Sequence, residues 1–394
     1  MLRSLSGAVT LCYSFRISDD DNEEPVTRKY RIFATCDIGR EALSRLRNNG
    51  WELEVYDQVE PPPKKLVLSK LASGIDALIT TLRDRIDEEV LAAGAAAGLK
   101  IVAQMAVGFD NIDRPAANRY KIPFSHTADV LTDATAEFAF LILGCAARGT
   151  WQAEQMVRAN AWSTWHPYLP WLGDEITGKT LAVIGMGRIG KSLINKAVGF
   201  DMDILCHDPT YEDHSFTAAI RWLMEVRHRE RLSPRLQKIE HVGLDEALRQ
   251  GDLVSLHVPL TMPGDAANPT FHLMDERRLR TMRPTAYLVN TSRGPVVDEN
   301  ALAKALLEGW IAGAALDVFE SEPLPPDSPL RDERLVPKLR LFPHFASAAR
   351  NTRLSADPCV GMAGRTVQAV IDVLEGRYDG DPKRMPYIVN KEAF

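Results

Sequence analysis

No stretch of this 394-residue chain approaches the ~18 consecutive apolar residues that a membrane-spanning helix requires, and no membrane association is expected. Cysteine is sparse. Cys12, Cys36, Cys145, Cys206 and Cys359 are scattered, with no Cys-x-x-Cys pair, so nothing resembles a thiolate metal cluster and no metal is expected. Isolated thiols in odd number suit a reducing compartment better than a disulfide framework, and the cytoplasm is the expected location. Positive charge is not in excess either. The net charge of −6 argues against a nucleic-acid partner, and an anionic small substrate would have to meet a local cation. Met1–Cys12 carries one basic residue, Arg3, and lacks the long apolar centre and small-residue cleavage site of a secretory signal. The acidic run Asp19–Glu24 follows, and residues 1–28 are expected to form a disordered tail.

What is present is an alternation of strand and helix patterns. Tyr30–Ala34, Glu52–Tyr56, Ala77–Thr80 and Lys100–Ala103 read as strands, with helices over Arg40–Asn48 and Asp87–Ala97 and a loop at Pro61–Lys65. A long helical pattern runs from Ala134 to Arg158. Further strands are predicted at Leu181–Ile184, Ile204–Cys206, Leu253–Leu256, Ala286–Val289, Ala314–Leu316 and Leu339–Phe342, and a last helix over Asp357–Leu374. Such alternation implies βαβ units and parallel sheets, in a chain too long for one compact core. The predicted class is α/β, with two doubly wound parallel-sheet domains. One domain, over 131–345, is inserted into a discontinuous one formed by 29–130 and 346–394. The glycine-rich turn at Gly185-Met186-Gly187-Arg188-Ile189-Gly190 marks the inserted domain as a Rossmann dinucleotide-binding domain and leaves the other, flavodoxin-like, as the expected substrate-binding domain. The 211–243 stretch, with an amphipathic segment at Arg221–Arg231, reads as a surface insertion; a partner contact or a lid is the alternative.

The most telling local pattern is Val183-Ile184-Gly185-Met186-Gly187-Arg188-Ile189-Gly190. An apolar strand precedes it, and three glycines then allow a tight turn, close approach to a pyrophosphate, and close packing of the following helix. The helix start favours phosphate charge. Asp208 closes the next apolar run, eighteen residues after Gly190, where an acid can accept from the ribose hydroxyls of an adenosine. A carboxylate there would repel the 2′-phosphate of NADP, and Pro209-Thr210 offers no compensating cation. NAD is therefore the expected cofactor.

Arg293, Glu322 and His344 each stand just beyond a predicted strand of the second domain, where ligands bind in open α/β sheets. Each alone has an ordinary structural explanation; together they make a hydride-transfer site. An arginine fork holds a carboxylate and polarises the neighbouring carbonyl. A histidine exchanges a proton near neutral pH. A carboxylate beside that histidine orients the ring and favours imidazolium.

Asn290–Glu299, Leu316–Pro323 and Phe342–Ala348, with Val107–Asp113 and Leu131–Glu137 earlier in the chain, resemble the signatures of the D-isomer-specific 2-hydroxyacid dehydrogenases. The resemblance covers roughly Arg31 to Leu374. It implies that Arg293 binds the substrate carboxylate, Glu322 supports the histidine and His344 is the acid/base. It places Arg188 and Ile189 at the pyrophosphate, and Val258, Pro259, Thr291 and Ser292 along the cofactor cleft. Asp317 would meet the nicotinamide carboxamide, and Val107 and Gly108 would offer N–H groups to the substrate carboxylate. A homodimer is implied. Two segments depart from the family pattern. Phe345-Ala346-Ser347-Ala348-Ala349 stands where Ile-Gly-Ser-Ala-Thr is usual, and Ser125-His126-Thr127-Ala128 where a turn with Asn and Pro is commoner.

Within the family, Ala161–Pro167 with its two tryptophans, Ile79-Thr80-Thr81-Leu82 and Arg85-Ile86-Asp87 are similar to the glyoxylate and hydroxypyruvate reductase branch. That would put Leu82 beside a small C3 group and make the substrate a small 2-oxo or 2-hydroxy acid. The tryptophans serve equally well as anchors of a domain interface. Arg83 offers the alternative of a second anionic group, as in phosphoglycerate-type relatives. Phosphite-type chemistry and an NADH-sensing corepressor-like binding protein are further alternatives, whereas Glu322 stands where formate-using relatives carry glutamine.

Overall fold

The computed structural model describes residues 29–394 except 170, 213 and 265; the expected tail, 1–28, lies outside the described residues. The chain forms two compact units, one made by the residues up to Val130 together with Arg350–Phe394, the other by Leu131–Ala349.

In the first unit, β1 (Arg31–Ala34), β2 (Glu52–Val55), β3 (Ala77–Thr80), β4 (Ile101–Gln104) and β5 (Phe124–Ser125) form a parallel sheet in the order β2-β1-β3-β4-β5, the flavodoxin-like arrangement. Every residue of β3 and β4 is buried, as in strands covered on both faces. The alternating Glu-Leu-Glu-Val of β2 is partly exposed and sits at the edge. Helices Arg40–Asn48 and Met362–Leu374 cover one face, where Leu43, Leu46, Val367 and Val370 share a core with Ile32 and Ile79. Helices Lys64–Ala72 and Glu88–Ala97 cover the other through Val67, Leu71, Val90 and Leu91.

In the second unit, β6 (Thr180–Ile184), β7 (Asp203–His207), β8 (Ile239–His241), β9 (Leu253–Leu256), β10 (Tyr287–Asn290), β11 (Gly313–Leu316) and β12 (Leu339–Leu341) run parallel in the order β12-β11-β10-β9-β6-β7-β8. Strand order reverses between β6 and β9, the switch point at which α/β sheets bind ligands beyond their carboxyl ends.

Four local expectations are corrected. The long helix over Ala134–Arg158 is two, Thr132–Arg148 and Thr150–Arg158, because Gly149 takes a left-handed conformation with φ 62° and stops the first. Helix, not loop, begins at Lys64, directly after Pro63. The 211–243 stretch is not an appended insertion. Helix His214–Arg229 buries Thr217, Ile220 and Met224 and leads into β8, so the segment is the crossover to an edge strand of the same sheet. The last helix begins at Met362 rather than Asp357. Cys36, Cys145 and Cys206 are free thiols, but Cys359 is disulfide-bonded; spacing along a sequence does not report which thiols meet in space. No described helix is long and apolar enough to cross a membrane, and no group of three or more potential metal ligands occurs among the described residues.

Candidate active site

The glycine-rich turn joins β6 to helix Arg188–Ala197, and its three glycines do different work. Gly185 adopts φ 102°, and a Cβ there would collide with the His257 carbonyl at the end of β9. A Cβ on Gly190 would collide with the Gly185 carbonyl, so helix and turn are pressed together. At Gly187 a Cβ would meet no protein atom within 4 Å. Nothing in the chain requires glycine at that exposed position, which fits a backbone shaped for close approach by a phosphate. Arg188 is exposed beside it and Ile189 half-buried.

Asp208, one residue beyond β7, accepts from the Met186 N–H at 2.9 Å and from the Thr210 N–H and hydroxyl at 2.9 and 2.8 Å. Burial raises its carboxyl, but these three bonds outweigh burial and hold it below the ordinary carboxylate value. It is an ionised acid tied to the glycine turn. Beside it lies a cavity of about 800 Å³ lined by Ile184, His207, Pro209, Val258, Asn268 and Thr270, among others. The cavity thus opens at the carboxyl ends of β6, β7 and β9. Val258 is half-buried and Pro259 exposed, with the Pro259 carbonyl accepting from the Thr270 hydroxyl at 2.6 Å. Thr291 and Ser292 are buried; the Thr291 hydroxyl has no hydrogen-bond partner among the described residues. That orphaned hydroxyl and the open Gly187 position are what a cofactor-binding surface would leave unfilled by protein.

The second cluster forms where three loops follow β10, β11 and β12. Asn290, fully buried at the end of β10, folds the first loop over itself. Its amide N–H donates to the Arg293 carbonyl at 2.8 Å, and its side-chain oxygen accepts from the Ser292 N–H and hydroxyl at 3.0 and 2.7 Å. Arg293 is left half-buried, one guanidinium nitrogen donating to the Ser292 carbonyl at 2.7 Å. A Cβ on Gly294 would collide with the Phe319 backbone, so only glycine lets this loop seat against the next. Glu322 accepts from the Phe319 N–H at 3.0 Å through one oxygen and lies 2.8 Å from His344 Nδ1 through the other. Burial raises its carboxyl, but the bond and charge of His344, the Phe319 N–H and the Arg293 charge prevail and hold it below the usual range. An ionised Glu322 only accepts, so Nδ1 carries the proton on the Glu322 side and Nε2 is the ring's other end.

Asp317 differs from its expected place. It is completely buried, and its two oxygens accept from the Phe345 and Ala346 N–H groups at 2.6 and 2.8 Å. The His344 N–H donates to the Asp317 carbonyl at 2.9 Å. In this arrangement the residue holds the histidine loop and does not face open space. Burial, the largest influence, pushes its carboxyl up against the pull of those two N–H bonds. Phe345, one departure from the family pattern, lies half exposed with its ring 5.6 Å from Phe138. Asn290, Gly294 and the clamping part of Asp317 were not assigned by sequence reasoning; an Asn ending a buried strand was the one available signal.

The remaining expected residues belong to the first unit. Leu82 is 38% exposed just beyond β3, and Val107 and Gly108 are half-buried beyond β4. Arg83 does not present its fork: one nitrogen donates to the Thr35 carbonyl at 2.8 Å and the other to the Val59 carbonyl.

Comparison with known proteins decides the family. The chain is 45% identical to the glyoxylate reductase of Korarchaeum cryptofilum over 82% of its own length and 89% of the relative's. It belongs to the D-isomer-specific 2-hydroxyacid dehydrogenase family. Residues 140–346 match that family's NAD-binding domain, so the dehydrogenase uses NAD and the turn at Gly185–Gly190 lies in its cofactor domain. The glyoxylate reductase of Aeropyrum pernix is 41% identical over 93% of this chain and 97% of its own. Among solved structures, the TT0316 protein of Thermus thermophilus superposes with a TM-score of 0.75 at 36% identity, covering 91% of this chain and 99% of that one.

Proposed function

We propose that this dehydrogenase reduces glyoxylate, or a 2-oxo acid of similar size, with NADH, and that Arg293, Glu322 and His344 are its catalytic residues. The 2.8 Å contact between His344 Nδ1 and Glu322 carries the reading, because it keeps the proton on Nδ1 and leaves Nε2 as the atom that takes up a proton as the neutral ring and gives it back as imidazolium. When bound, the nicotinamide supplies the hydride. Arg293 holds the substrate carboxylate and polarises the 2-oxo group. His344 protonates the carbonyl oxygen from Nε2, and Glu322 keeps the ring oriented and stabilises the imidazolium. In oxidation the neutral ring takes the hydroxyl proton. Gly185, Gly187, Arg188, Ile189 and Gly190 cradle the pyrophosphate, and Asp208 accepts from the adenosine ribose. Val258, Pro259, Thr291 and Ser292 line the cofactor site, and Asp317 positions the His344 loop.

The first unit is read as the substrate-binding domain, with Val107 and Gly108 N–H groups on the carboxylate and Leu82 beside the far side of the 2-oxo carbon, where a larger acid would carry its C3. Two observations support a small, uncharged group on the 2-oxo carbon, hydrogen in glyoxylate. Arg83 is spent on the Thr35 and Val59 carbonyls, and Leu82 is apolar. The relatives at 45% and 41% identity are named glyoxylate reductases. A homodimer acting in the cytoplasm, with no nucleic-acid partner, completes the reading. Helix Thr150–Arg158 buries none of its residues, and Trp162, Trp165, Tyr168 and Leu172 are all more than half exposed. So much exposed apolar surface suits a second copy of the chain.

Oxidation of NADH with glyoxylate, hydroxypyruvate, pyruvate and 3-phosphohydroxypyruvate tests the reading, with His344→Ala as control. Turnover of glyoxylate that falls by roughly 10²–10⁴ in the variant, with NADH affinity kept, supports it. Preference for the phosphorylated acid would overturn the substrate, and an unimpaired variant would overturn the acid/base.

A further inference from the structure

The loop after β4 is held by three donors acting on three successive carbonyls. The Thr127 N–H donates to the Ala106 carbonyl at 2.8 Å. His126 Nδ1 lies 3.1 Å from the Val107 carbonyl. The Gln104 side-chain amide donates to the Gly108 carbonyl at 2.8 Å. A carbonyl accepts and never donates, so His126 Nδ1 carries a proton here. In a planar trans peptide the C=O and the following N–H point in opposite directions. Pinning each carbonyl therefore turns the N–H of the same peptide, that of Val107, Gly108 or Phe109, away from the donor that holds it. Among the described residues no acceptor is recorded for any of those three N–H groups. Such groups require a partner from outside the chain.

The donors are themselves fixed. Gln104 is fully buried, and its oxygen accepts from the Thr80 hydroxyl and the Asn111 amide, each at 3.1 Å. His126 is tied down through its own N–H, which donates to the Tyr387 carbonyl at 3.2 Å. It also stands at one of the two places where the sequence departs from the family pattern.

We propose that His126 is a positioning residue for substrate, setting the Val107–Gly108 peptide so that its N–H meets the 2-oxo acid carboxylate. The inference rests on the substrate role proposed above for Val107 and Gly108. Its chemistry suggests a sharp pair of variants. His126→Phe keeps a planar ring and removes the donor. His126→Asn keeps an N–H donor at the same number of bonds from Cα as Nδ1. A carboxylate held equally in ground and transition states changes KM and leaves kcat nearly alone.

The experiment is steady-state kinetics with glyoxylate, alongside NADH affinity by fluorescence titration. For His126→Phe, KM for glyoxylate should rise roughly fivefold to tenfold, the worth of about one hydrogen bond. Its kcat and NADH affinity should stay within about twofold, and His126→Asn should restore KM to near the wild-type value. An unchanged KM in His126→Phe, or equal impairment in His126→Asn, overturns the proposal while leaving the reductase reading in place. A wild-type enzyme inert to every 2-oxo acid with NADH overturns both. Weakened NADH binding in His126→Phe would show that the residue acts on general structure, and also overturns it.

Discussion

In each unit the first strand of the sheet turns into a helix, and the two turns differ in what occupies the helix start. In the second unit β6 passes through Gly185, Met186 and Gly187 into Arg188–Ala197, and the Gly187 position opens onto space with no protein neighbour. In the first, β1 passes through Thr35–Ile38 to Gly39, which caps Arg40–Asn48 at φ 127°. There the Asp37 carboxylate accepts from the Gly39 N–H at 2.8 Å. A carboxylate placed at a helix start satisfies a donor and sets negative charge against the dipole. One turn leaves its anion-favouring end to a ligand; the other fills it with a side chain of its own. Parallel βα architecture alone therefore does not make a phosphate site.

The largest expected effects test whether the last two glycines of the fingerprint act differently. In Gly190→Ala the new methyl meets the Gly185 carbonyl, and overpacking of this kind costs roughly 1–3 kcal/mol or more. Melting temperature and NADH binding should fall together. Gly187→Ala meets nothing, so thermal stability should hold while NADH affinity drops about tenfold, the methyl standing where the phosphate approaches. Thermal melts with and without NADH separate the two. Equal loss of stability in both variants would mean that the open position is structural after all.

Much of this was legible in the sequence because it depends on short-range pattern. Unbroken apolar runs such as Ala77–Thr80 mark strands covered on both faces, and the spacing of Gly185, Gly187, Gly190 and Asp208 marks the turn. Arg293, Glu322 and His344 are legible because strand ends in a parallel sheet share one edge. What was not legible depends on which atom faces which. Arg83 reads as an available cation until its nitrogens are seen on two carbonyls. Asp317 reads as a ligand-facing acid until both its oxygens are seen on the Phe345 and Ala346 backbone. The crossover at 211–243 misleads because an edge strand as polar as Ile239-Glu240-His241 has no apolar run to announce it.

A smaller effect concerns Glu322. Its folded-state carboxyl lies below its ordinary value, burial being outweighed by His344, the Phe319 N–H and Arg293. Its contribution to stability is therefore complete above the unfolded value of about 4.3 and fades as pH falls through the lower folded value. Glu322→Gln should melt below the wild type near neutral pH, and the gap should close in strong acid. Near neutral pH its reductive kcat should fall at least about tenfold, because an amide no longer stabilises imidazolium. The alkaline limb of its pH–rate profile should move to lower pH. A stability gap that stays constant through acid would show that the 2.8 Å contact is not a charged one.

The smallest effect returns to the first turn. Asp37→Ala removes the acid that accepts from Gly39, at a cost of about 0.5–2 kcal/mol if it behaves as a helix cap does. Removing the charge should not turn this helix start into a second nucleotide site. A Cβ on Gly39 would already lie 3.6 Å from the Leu354 carbonyl and 3.7 Å from Ala363, so chain, not open space, surrounds the place where a phosphate would have to approach. Calorimetric titration of Asp37→Ala should still give one NADH per chain. A second binding step would place the whole difference between the two turns in a single carboxylate. Its absence would assign the difference to the chain packed against Gly39, at Leu354 and Ala363, rather than to the charge.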